Sequence, residues 1–366
     1  MKKTLAVILL LMAFPVYATD YYVDITTGSD ADDGLSEGNA WQHLAKAADI
    51  VTAGTTVYVK ASAVYETEDG ANNCVMQTSA DGAVDSPITF IGYTSIITDG
   101  GQVTVNADPM GDQFASAIDG TASGSYHIWK NFIFTGGSSH GYNGGESDWC
   151  VFYNCRFTSN GGSGLLIDNW CLYYLCSFDT NTSSGIVSDS ISRIFASKAY
   201  ANGSYGMDLD GGEVLSSLVY GNGSDAICFS QAERDMVYGC TIDSENANNG
   251  ILFNTAGRVV PTVIINNIIY DANVGVNSAV AQSFDFALAN LINSNITDYT
   301  NFPAGIDDVT GAPLFTNEAA DDYTLSATSP AIDAGSRESA PDRDVIGTSR
   351  PQGKAVDVGA YEHPAK

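Results

Sequence analysis

Basic residues, histidines and long apolar segments are scarce in this sequence of 366 residues. Lysine and arginine together number 15 against 43 aspartates and glutamates, so the formal net charge is −28. A chain this acidic repels nucleic acid and anionic membranes, and neither is expected as a partner. The sequence has only four histidines, and no Cys/His spacing in it is typical of a zinc site. No segment after the N-terminus is long and apolar enough to insert into a membrane.

The N-terminus has the pattern of an export signal. Lys2 and Lys3 precede a short apolar run at residues 5–14, and Val16 and Ala18 are the small residues expected before a cleavage site. We predict that residues 1–18 form a signal peptide cleaved near Ala18. The mature protein would then be secreted, either to the extracellular space or to the periplasm.

A repeat of 21 residues runs through the middle of the chain. Three consecutive segments beginning at Ser147, Asp168 and Asp189 align without gaps. The columns that recur pair Trp149 with Trp170, Cys150 with Cys171, Cys155 with Cys176, Phe157 with Phe178, and Asn160 with Asn181 and Asn202. Such a period indicates a solenoid, in which each repeat packs on the next.

The composition of each repeat favours strands over helices. Short β-prone runs alternate with Asn, Gly and Ser turns, whereas leucine-rich or 3.6-residue periodicity is absent. We therefore predict an all-β fold, a right-handed parallel β-helix with rungs of about 21 residues. Cys155 and Cys176 would point inward as packed thiols, with a disulfide between the stacked pair as the alternative.

The rest of the chain divides around this repeat. Residues 19–66 would form an N-terminal cap and the first strands, with a helix at residues 40–51 covering the first rung. Residues 67–285 would carry the rungs. Residues 286–366 are rich in Gly and Pro and are predicted to form an irregular C-terminal cap.

Two terminal segments carry a family resemblance. Residues 21–66, beginning YYVDITTGSDADDG, resemble the opening of bacterial pectate-lyase-like β-helix proteins. Residues 329–362, SPAIDAG…DVIGTSRPQGKAVDVGAYE, are similar to the tail of choice-of-anchor Q β-helix proteins. With the rungs, the resemblance extends over nearly the whole mature chain. It implies a β-helix, and it leaves the activity open because this superfamily includes enzymes and adhesins.

One column of carboxylates lies at the repeat interval. Asp168, Asp189 and Asp210 are 21 residues apart, so they should stack on successive rungs and repel one another. A Ca²⁺ ion among them would offset the repulsion and could hold an acidic sugar, whereas a structural role at a strand end is the alternative.

Asp208 is a fourth candidate ligand for this metal. The segment from Asn202 to Leu209 resembles the calcium-binding rung of one pectate lyase family, and Asp208 matches its last aspartate. Ser204 and Tyr205 stand where that family has its other two aspartates, which departs from the calcium pattern.

A basic column is the candidate catalytic feature. Arg156 and Lys198 occupy the same rung position two rungs apart, with Ser177 between them. β-Elimination of a uronate needs a base for the C5 proton and cations to stabilise the developing charge, and Lys or Arg serves in the lyases of the resembled family. The alternative is that both are surface ions paired with nearby acids.

Aromatic residues are the candidate sugar-binding feature. Trp149, Trp170 and Tyr173 could form a strip on which sugar rings stack, or could pack beneath a loop. Two functions are therefore predicted for a secreted protein with a polysaccharide or surface glycan as partner. The first is a polysaccharide lyase acting on acidic glycan, and the alternative is a non-catalytic glycan-binding, adhesin or matrix protein.

Overall fold

The computed structural model describes residues 19–66, 74–108, 116–121, 124–145, 147–168, 170–231, 234–245, 248–255, 260–294, 296–338 and 340–364. The predicted signal peptide lies outside these residues. Among the described residues, no helix is long and apolar enough to cross a membrane.

The chain forms a right-handed parallel β-helix, as the repeat predicts. Each full rung contributes one strand to each of three parallel sheets, which we call sheet 1, sheet 2 and sheet 3 in the order the chain visits them. Sheet 1 contains Asp20–Asp24, Thr56–Lys60, Ile88–Tyr93, His127–Lys130, Val151–Tyr153, Leu172–Tyr174, the second half of Ile186–Phe195, the second half of Met207–Leu215, Asp235–Tyr238, Val263–Ile265 and Phe286–Leu288.

The other two sheets follow the same rungs. Sheet 2 contains Val103–Asn106, Phe132–Thr135, Arg156–Thr158, Ser177–Asp179, Lys198–Tyr200, Leu218–Tyr220, Thr241–Asp243, Ile268–Tyr270 and Leu291–Asn293. Sheet 3 contains Cys74–Gln77, Ser116–Asp119, Tyr142–Asn143, Leu165–Ile167, the first halves of Ile186–Phe195 and Met207–Leu215, Ile227–Phe229, Asn249–Phe253, Val274–Ser278 and Thr297–Thr300. The two long strands run on from sheet 3 into sheet 1.

The core is a set of ladders that follow the predicted register. Phe157 pairs with Phe178 across adjacent strands, and their rings stack with centroids 5.1 Å apart. Both rings are fully buried. All seven cysteines are buried thiols, and Cys155 and Cys176 lie in one inward column as predicted. Stacking of like residues thus gives the solenoid one continuous apolar core.

A ladder of asparagines fixes the turn between sheet 2 and sheet 3. In each step an Asn Nδ2 donates to the Oδ1 of the Asn on the next rung, at a distance of 2.9 Å. The bonds run from Asn160 to Asn181, from Asn181 to Asn202 and from Asn202 to Asn222. Each of these amide groups also donates to a backbone carbonyl of the preceding rung. Because the side chains are buried, these bonds satisfy polar groups that would otherwise destabilise the core.

The N-terminal end is covered by the helix Leu44–Ile50, which lies within the predicted helical segment. Leu44, Ala47 and Ala48 on one face of this helix are buried against the first rung. The helix therefore shields the end of the core from solvent.

The C-terminal segment covers a flank of the solenoid. Strand pairing continues past residue 285, to Thr297–Thr300. After that, residues 313–338 and 340–364, which we call the strap, fold back over the outer side of sheet 2. A short antiparallel pair, Phe315–Asn317 with Asp322–Leu325, begins the strap, and a short 3-10 helix, Glu318–Ala320, joins its two strands.

Apolar and polar contacts hold the strap in place. Leu218 of sheet 2 packs with Tyr323 and Val345 of the strap, and Ile268 packs with Leu325 and Val358. Other ties are hydrogen bonds from the Tyr323 hydroxyl to Asp243 Oδ2 (2.9 Å), from Ala360 N to Thr241 Oγ1 (2.9 Å) and from Ser216 Oγ to Arg343 O (3.0 Å). The outward residues Leu218, Thr241, Ile268 and Leu291 of sheet 2 are therefore buried.

The motif residues of the tail form the inner framework of the strap. The Arg350 guanidinium is buried and donates to the carbonyls of Asp357 (3.1 Å) and Gly359 (2.7 Å). Glu362, also buried, accepts bonds from Gln352 N and Asp357 N. These contacts give the tail motif a structural role in shaping the strap, and the similarity to choice-of-anchor Q tails stays a prediction.

Candidate functional site

A column of aromatic rings lies where each rung passes from sheet 3 to sheet 1. Tyr126, Trp149 and Trp170 precede three successive sheet 1 strands and stack in parallel. The ring centroids of Tyr126 and Trp149 are 6.2 Å apart, and those of Trp149 and Trp170 are 5.3 Å apart. Both tryptophans are 47% exposed. The predicted pairing of these two residues thus forms a solvent-facing stack.

All three residues have left-handed backbone conformations, with φ of 57°, 59° and 55°. Bulky residues rarely adopt this region, and each such conformation costs on the order of 1–3 kcal/mol. Ring stacking returns about 0.5–1.5 kcal/mol per pair, which offsets only part of that cost. Strained and exposed tryptophans on two successive rungs make this stack a candidate functional surface.

A groove begins where this aromatic column ends. The next rung has Ile191 opposite Gly211, so no ring follows Trp170. Gly212 has φ of 132°, and a Cβ there would meet the Ser192 carbonyl oxygen at 2.0 Å, so a side chain is excluded. The groove beside Trp170 has a volume of about 670 Å³ and is lined by Trp149, Trp170, Cys171, Leu172, Ile191, Arg193, Phe195, Glu213 and Arg234.

Charged groups lie on the floor of this groove, on the outer face of sheet 1. Arg193 pairs with Glu213 on the adjacent strand, with Nε to Oε2 at 3.1 Å and Nη2 to Oε1 at 3.3 Å. Arg234, on the following rung, is exposed. The groove therefore offers both hydrogen-bond donors and acceptors beside an aromatic wall.

The prediction that Tyr173 is a third sugar-binding residue is wrong. Its side chain is fully buried and stacks on Phe152 in the core, with ring centroids 5.5 Å apart. Side chains alternate along a strand, so Leu172 and Tyr174 face outward and Tyr173 faces inward. Tyr173 therefore cannot contact a sugar on the surface.

Arg156 and Lys198 occupy the predicted register on the outer face of sheet 2. Arg156 pairs with Ser177, which in turn pairs with Lys198. Arg156 donates from Nε to Asp179 Oδ1 (2.9 Å) and from Nη2 to Asp179 Oδ2 (2.7 Å). Arg156 is thus held in a two-point ion pair, and the surface-ion alternative describes it better than a catalytic role.

The environment of Asp179 explains this ion pair. Burial acts to raise the pKa of Asp179, but hydrogen bonds from Arg156, Thr158 and Ser177 together hold that pKa below its usual value. The bond to Asp179 in turn raises the pKa of Arg156. A buried carboxylate fixed by three donors is a structural anion, and Arg156 is its counterion.

The acidic candidates lie on sheet 3. Asp168, Asp189 and Asp210 are at or near the ends of successive sheet 3 strand segments, and Asp208 projects from the outer face one residue before Leu209. Asp208 is half-buried and accepts a bond from Ser230 Oγ at 3.1 Å. Burial, and then the charge of Asp189, raises the pKa of Asp208.

The Ca²⁺ site predicted at these carboxylates stays a prediction. Within the described ranges, no group of three or more His, Cys, Asp or Glu side chains is close enough to hold a metal ion. Ca²⁺ prefers six to eight oxygen ligands, so the donor set seen at Asp208 is too small. The calcium prediction for Asp168, Asp189, Asp208 and Asp210 has no further support from the geometry.

The structure separates the candidates that a lyase would need together. The basic column lies on sheet 2, the carboxylates lie on sheet 3, and the tryptophans border sheet 1. Equal spacing along the sequence places residues at matching positions on successive rungs, but it does not place them on the same face. The groove instead collects Ile191, Arg193, Glu213 and Arg234, which the sequence did not single out.

One of the missed residues had a visible signal. Tyr126 precedes His127–Lys130 as Trp149 precedes Val151–Tyr153, so extending the repeat one rung upstream would have found it. The groove itself had no such signal, because it arises from the absence of a ring after Trp170.

Comparison with known proteins finds similarity in fold. No protein-family model matches the sequence, and no curated protein sequence matches it. Among solved structures, pectate lyase Pel9A has a TM-score of 0.66 and 16% identity, over 94% of this chain and 96% of that chain.

Two further solved structures are similar over most of their length. A rhamnogalacturonan lyase has a TM-score of 0.52 at 16% identity, over 85% of this chain and 96% of its own. XylC, solved in complex with xylose, has a TM-score of 0.54 at 10% identity, over 93% of this chain and 98% of its own. At these identities the likeness shows a shared pectate-lyase-like β-helix.

Proposed function

We propose that this protein binds glycan chains, and that the sugar-binding site is the groove beside Trp149 and Trp170 on sheet 1. The observation that carries the proposal is an exposed tryptophan stack that ends at a groove with an Arg–Glu pair on its floor. Residues 1–18 have the pattern of an export signal. Secretion would place the site in contact with extracellular or periplasmic polysaccharide.

The geometry suits a sugar ring. A pyranose has an apolar face that packs on an aromatic ring and a polar rim that needs hydrogen bonds. Trp170 supplies the ring face because it is 47% exposed and lines the groove, while Arg193 and Glu213 supply donors and acceptors within the same groove.

The comparisons support a carbohydrate ligand. Two of the similar structures are named as polysaccharide lyases, and the third is a complex with xylose. A carbohydrate ligand for this chain is consistent with those names, although fold alone does not determine function.

β-Elimination is less well supported than binding. It would need a base, a cation and the substrate carboxylate in one place, and Arg156 and Lys198 project from a different face than Asp189, Asp208 and Asp210. Arg156 is also neutralised by Asp179. We therefore propose a binding role rather than a lyase.

The test combines binding and catalysis. Purified protein would be run by affinity gel electrophoresis through pectin, alginate, glycosaminoglycan and xylan. Retardation is expected on at least one polymer, and Trp170→Ala should abolish it. Tyr58→Ala is the matched control, because Tyr58 belongs to an aromatic pair on sheet 1 far from the groove.

The competing outcome is read from the same samples. Absorbance of unsaturated uronate, followed with and without Ca²⁺, would reveal elimination. If a signal appeared and was lost in Lys198→Ala, the lyase reading would replace the proposed one. If no polymer retarded the wild-type protein, glycan binding through this groove would be refuted.

A further inference from the structure

A second hollow lies on the same face as the groove. Its volume is about 430 Å³, and it is lined by Tyr174, Phe195, Ala196 and Ser216 of the solenoid and by residues 340–344 of the strap. Phe195 lines both hollows. Leu172 in the first and Tyr174 in the second are alternate outward residues of one strand, about 7 Å apart along it. The two hollows are therefore neighbours along the strand direction.

We propose that the two hollows are consecutive subsites for one glycan chain lying along the strands of sheet 1, with the strap forming the wall of the second. This inference rests on the proposed function, and it assigns part of the binding site to the C-terminal segment. The first sugar would stack on Trp170, and a later sugar in the chain would meet Tyr174, Phe195 and the strap wall.

The second hollow has the same kinds of groups as the first. Tyr174 stacks on Tyr153 at 5.5 Å with the rings tilted by 18°, which presents aromatic surface on the outer face. From the strap, Asp342 and Arg343 are exposed and supply a carboxylate and a guanidinium. Each hollow thus combines aromatic surface with at least one acid and at least one arginine.

The strap wall is fixed before any ligand arrives. Ser216 Oγ donates to Arg343 O at 3.0 Å, which ties the wall to the solenoid. The neighbouring Asp344 is buried and accepts bonds from Ile346 N (3.0 Å) and Thr348 N (2.7 Å). A preorganised wall loses little conformational entropy on binding, so its contacts would add to affinity.

The positions of the tryptophan stack and the strap beside sheet 1 determine the direction in which the glycan chain would lie. The tryptophan stack borders sheet 1 at one edge, and the strap borders it at the other. A chain lying parallel to the strands reaches both borders, whereas a chain lying along the solenoid axis would follow one of them. The length of the oligosaccharide should therefore control affinity.

The test uses calorimetric titration with oligosaccharides of defined length. Oligogalacturonides and xylo-oligosaccharides of two, four and six sugars would serve as acidic and neutral probes. For the series that binds, affinity should rise roughly tenfold or more from the shortest to the longest probe, because a second subsite adds to the first. In Asp342→Ala/Arg343→Ala, the longest probe should fall to the affinity of the shortest, which should itself be unchanged.

Controls separate the inference from the proposed function. Arg337→Ala, an exposed arginine of the strap outside the hollow, should leave the length dependence intact. Tyr174→Ala tests the second subsite from the solenoid side, in case the strap variant folds poorly. Binding that depends on Trp170 but shows no length dependence, or one that both subsite variants retain, overturns this inference alone. Absence of binding by every probe overturns the proposed function and this inference with it.

Discussion

Sheets 1 and 2 are built by the same rungs, yet their outer faces differ. On sheet 2 the outward residues Leu218, Ile268 and Leu291 are buried by the strap, and Tyr220, which stacks on Tyr200, is covered by Tyr323. On sheet 1 the stacked rings of Trp149 and Trp170 face solvent. An aromatic ladder is therefore not a binding surface in itself, and what decides its role is whether another part of the chain covers it.

The largest expected effect on stability is on the closed flank, which is the outer face of sheet 2 covered by the strap. Arg350→Met removes the donor to two strap carbonyls and leaves the buried Glu362 without its nearby cation, whose Nη1 lies 3.9 Å away. Loss of one member of a buried pair destabilises strongly, so we expect the free energy of unfolding to fall by about 3 kcal/mol. Urea denaturation would measure it, with the exposed Arg337→Ala as control. Equal stability of the two variants would mean that the strap is not held by this residue.

Arg156 gives the second largest effect. Arg156→Met leaves the buried Asp179 without its counterion and should cost about 2 kcal/mol at neutral pH, less than for a fully buried pair because Arg156 is partly exposed. Lys198→Met, on the same column, should change stability by less than about 0.5 kcal/mol.

The cost of losing Arg156 should depend on pH. Because the folded pKa of Asp179 lies below its usual value of 3.8, the stabilisation is present above that value and is lost as the pH falls through the lower folded pKa. Denaturation at pH 7 and pH 3 would test this. A penalty that is the same at both pH values would show that the charge of Asp179 is not responsible.

Asp243 should make the closed flank sensitive to mild pH. Burial raises its pKa to about 6, and the charges of Glu318 and Glu245 add to the shift. The folded state holds the carboxyl proton of Asp243 more tightly than the unfolded chain does. The stabilisation from this proton is therefore full below about pH 4 and is lost as the pH rises through 6. Asp243→Asn should therefore be more stable above pH 7 by about 2 kcal/mol.

The readout is the melting temperature between pH 4 and pH 8. The wild type should lose stability across this range relative to Asp243→Asn, and the exposed Asp307→Asn should follow the wild type. Parallel curves for all three proteins would show that Asp243 ionises normally beneath the strap.

The smallest effect on stability is expected on the open flank, which is the solvent-facing tryptophan stack beside sheet 1. Trp170→Ala removes an exposed, backbone-strained residue and should change the free energy of unfolding by less than about 1 kcal/mol, although it abolishes glycan binding. Tyr220→Ala, in the matching covered stack, should cost about 3 kcal/mol. Thermal denaturation of both variants would compare the two faces directly, and a large penalty at Trp170 would assign the tryptophan stack a structural role.

The sequence predicted the parts of this molecule that depend on neighbouring rungs. The 21-residue spacing placed Phe157 on Phe178, Trp149 on Trp170 and Arg156 in line with Lys198, because a parallel strand pairs with its equivalent on the next rung. The same spacing could not tell that Asp208 and Lys198 face different sides. The side that a residue faces depends on the turns within a rung, where Asn154 or Asn160 redirects the chain.

The groove and the strap were beyond a repeat-based prediction for a different reason. The groove opens where Ile191 takes the place of a ring on the rung after Trp170, so its signal is a missing aromatic residue. The strap joins Ser216 to Arg343, 127 residues apart. No local pattern records such a contact, and Tyr173 shows that even a local pattern misleads when strand alternation is not applied.

The contact between Tyr323 and Asp243, 80 residues apart, has a consequence for folding order. A solenoid can assemble one rung at a time, since each rung needs only its predecessor. The flank of sheet 2 cannot be completed this way, because Leu218, Ile268 and Leu291 stay bare until the last residues of the chain have been made. Non-local closure of this kind slows folding and leaves apolar surface open to association. A chain that stopped before the strap would complete its rungs but leave the apolar outer face of sheet 2 exposed and prone to association.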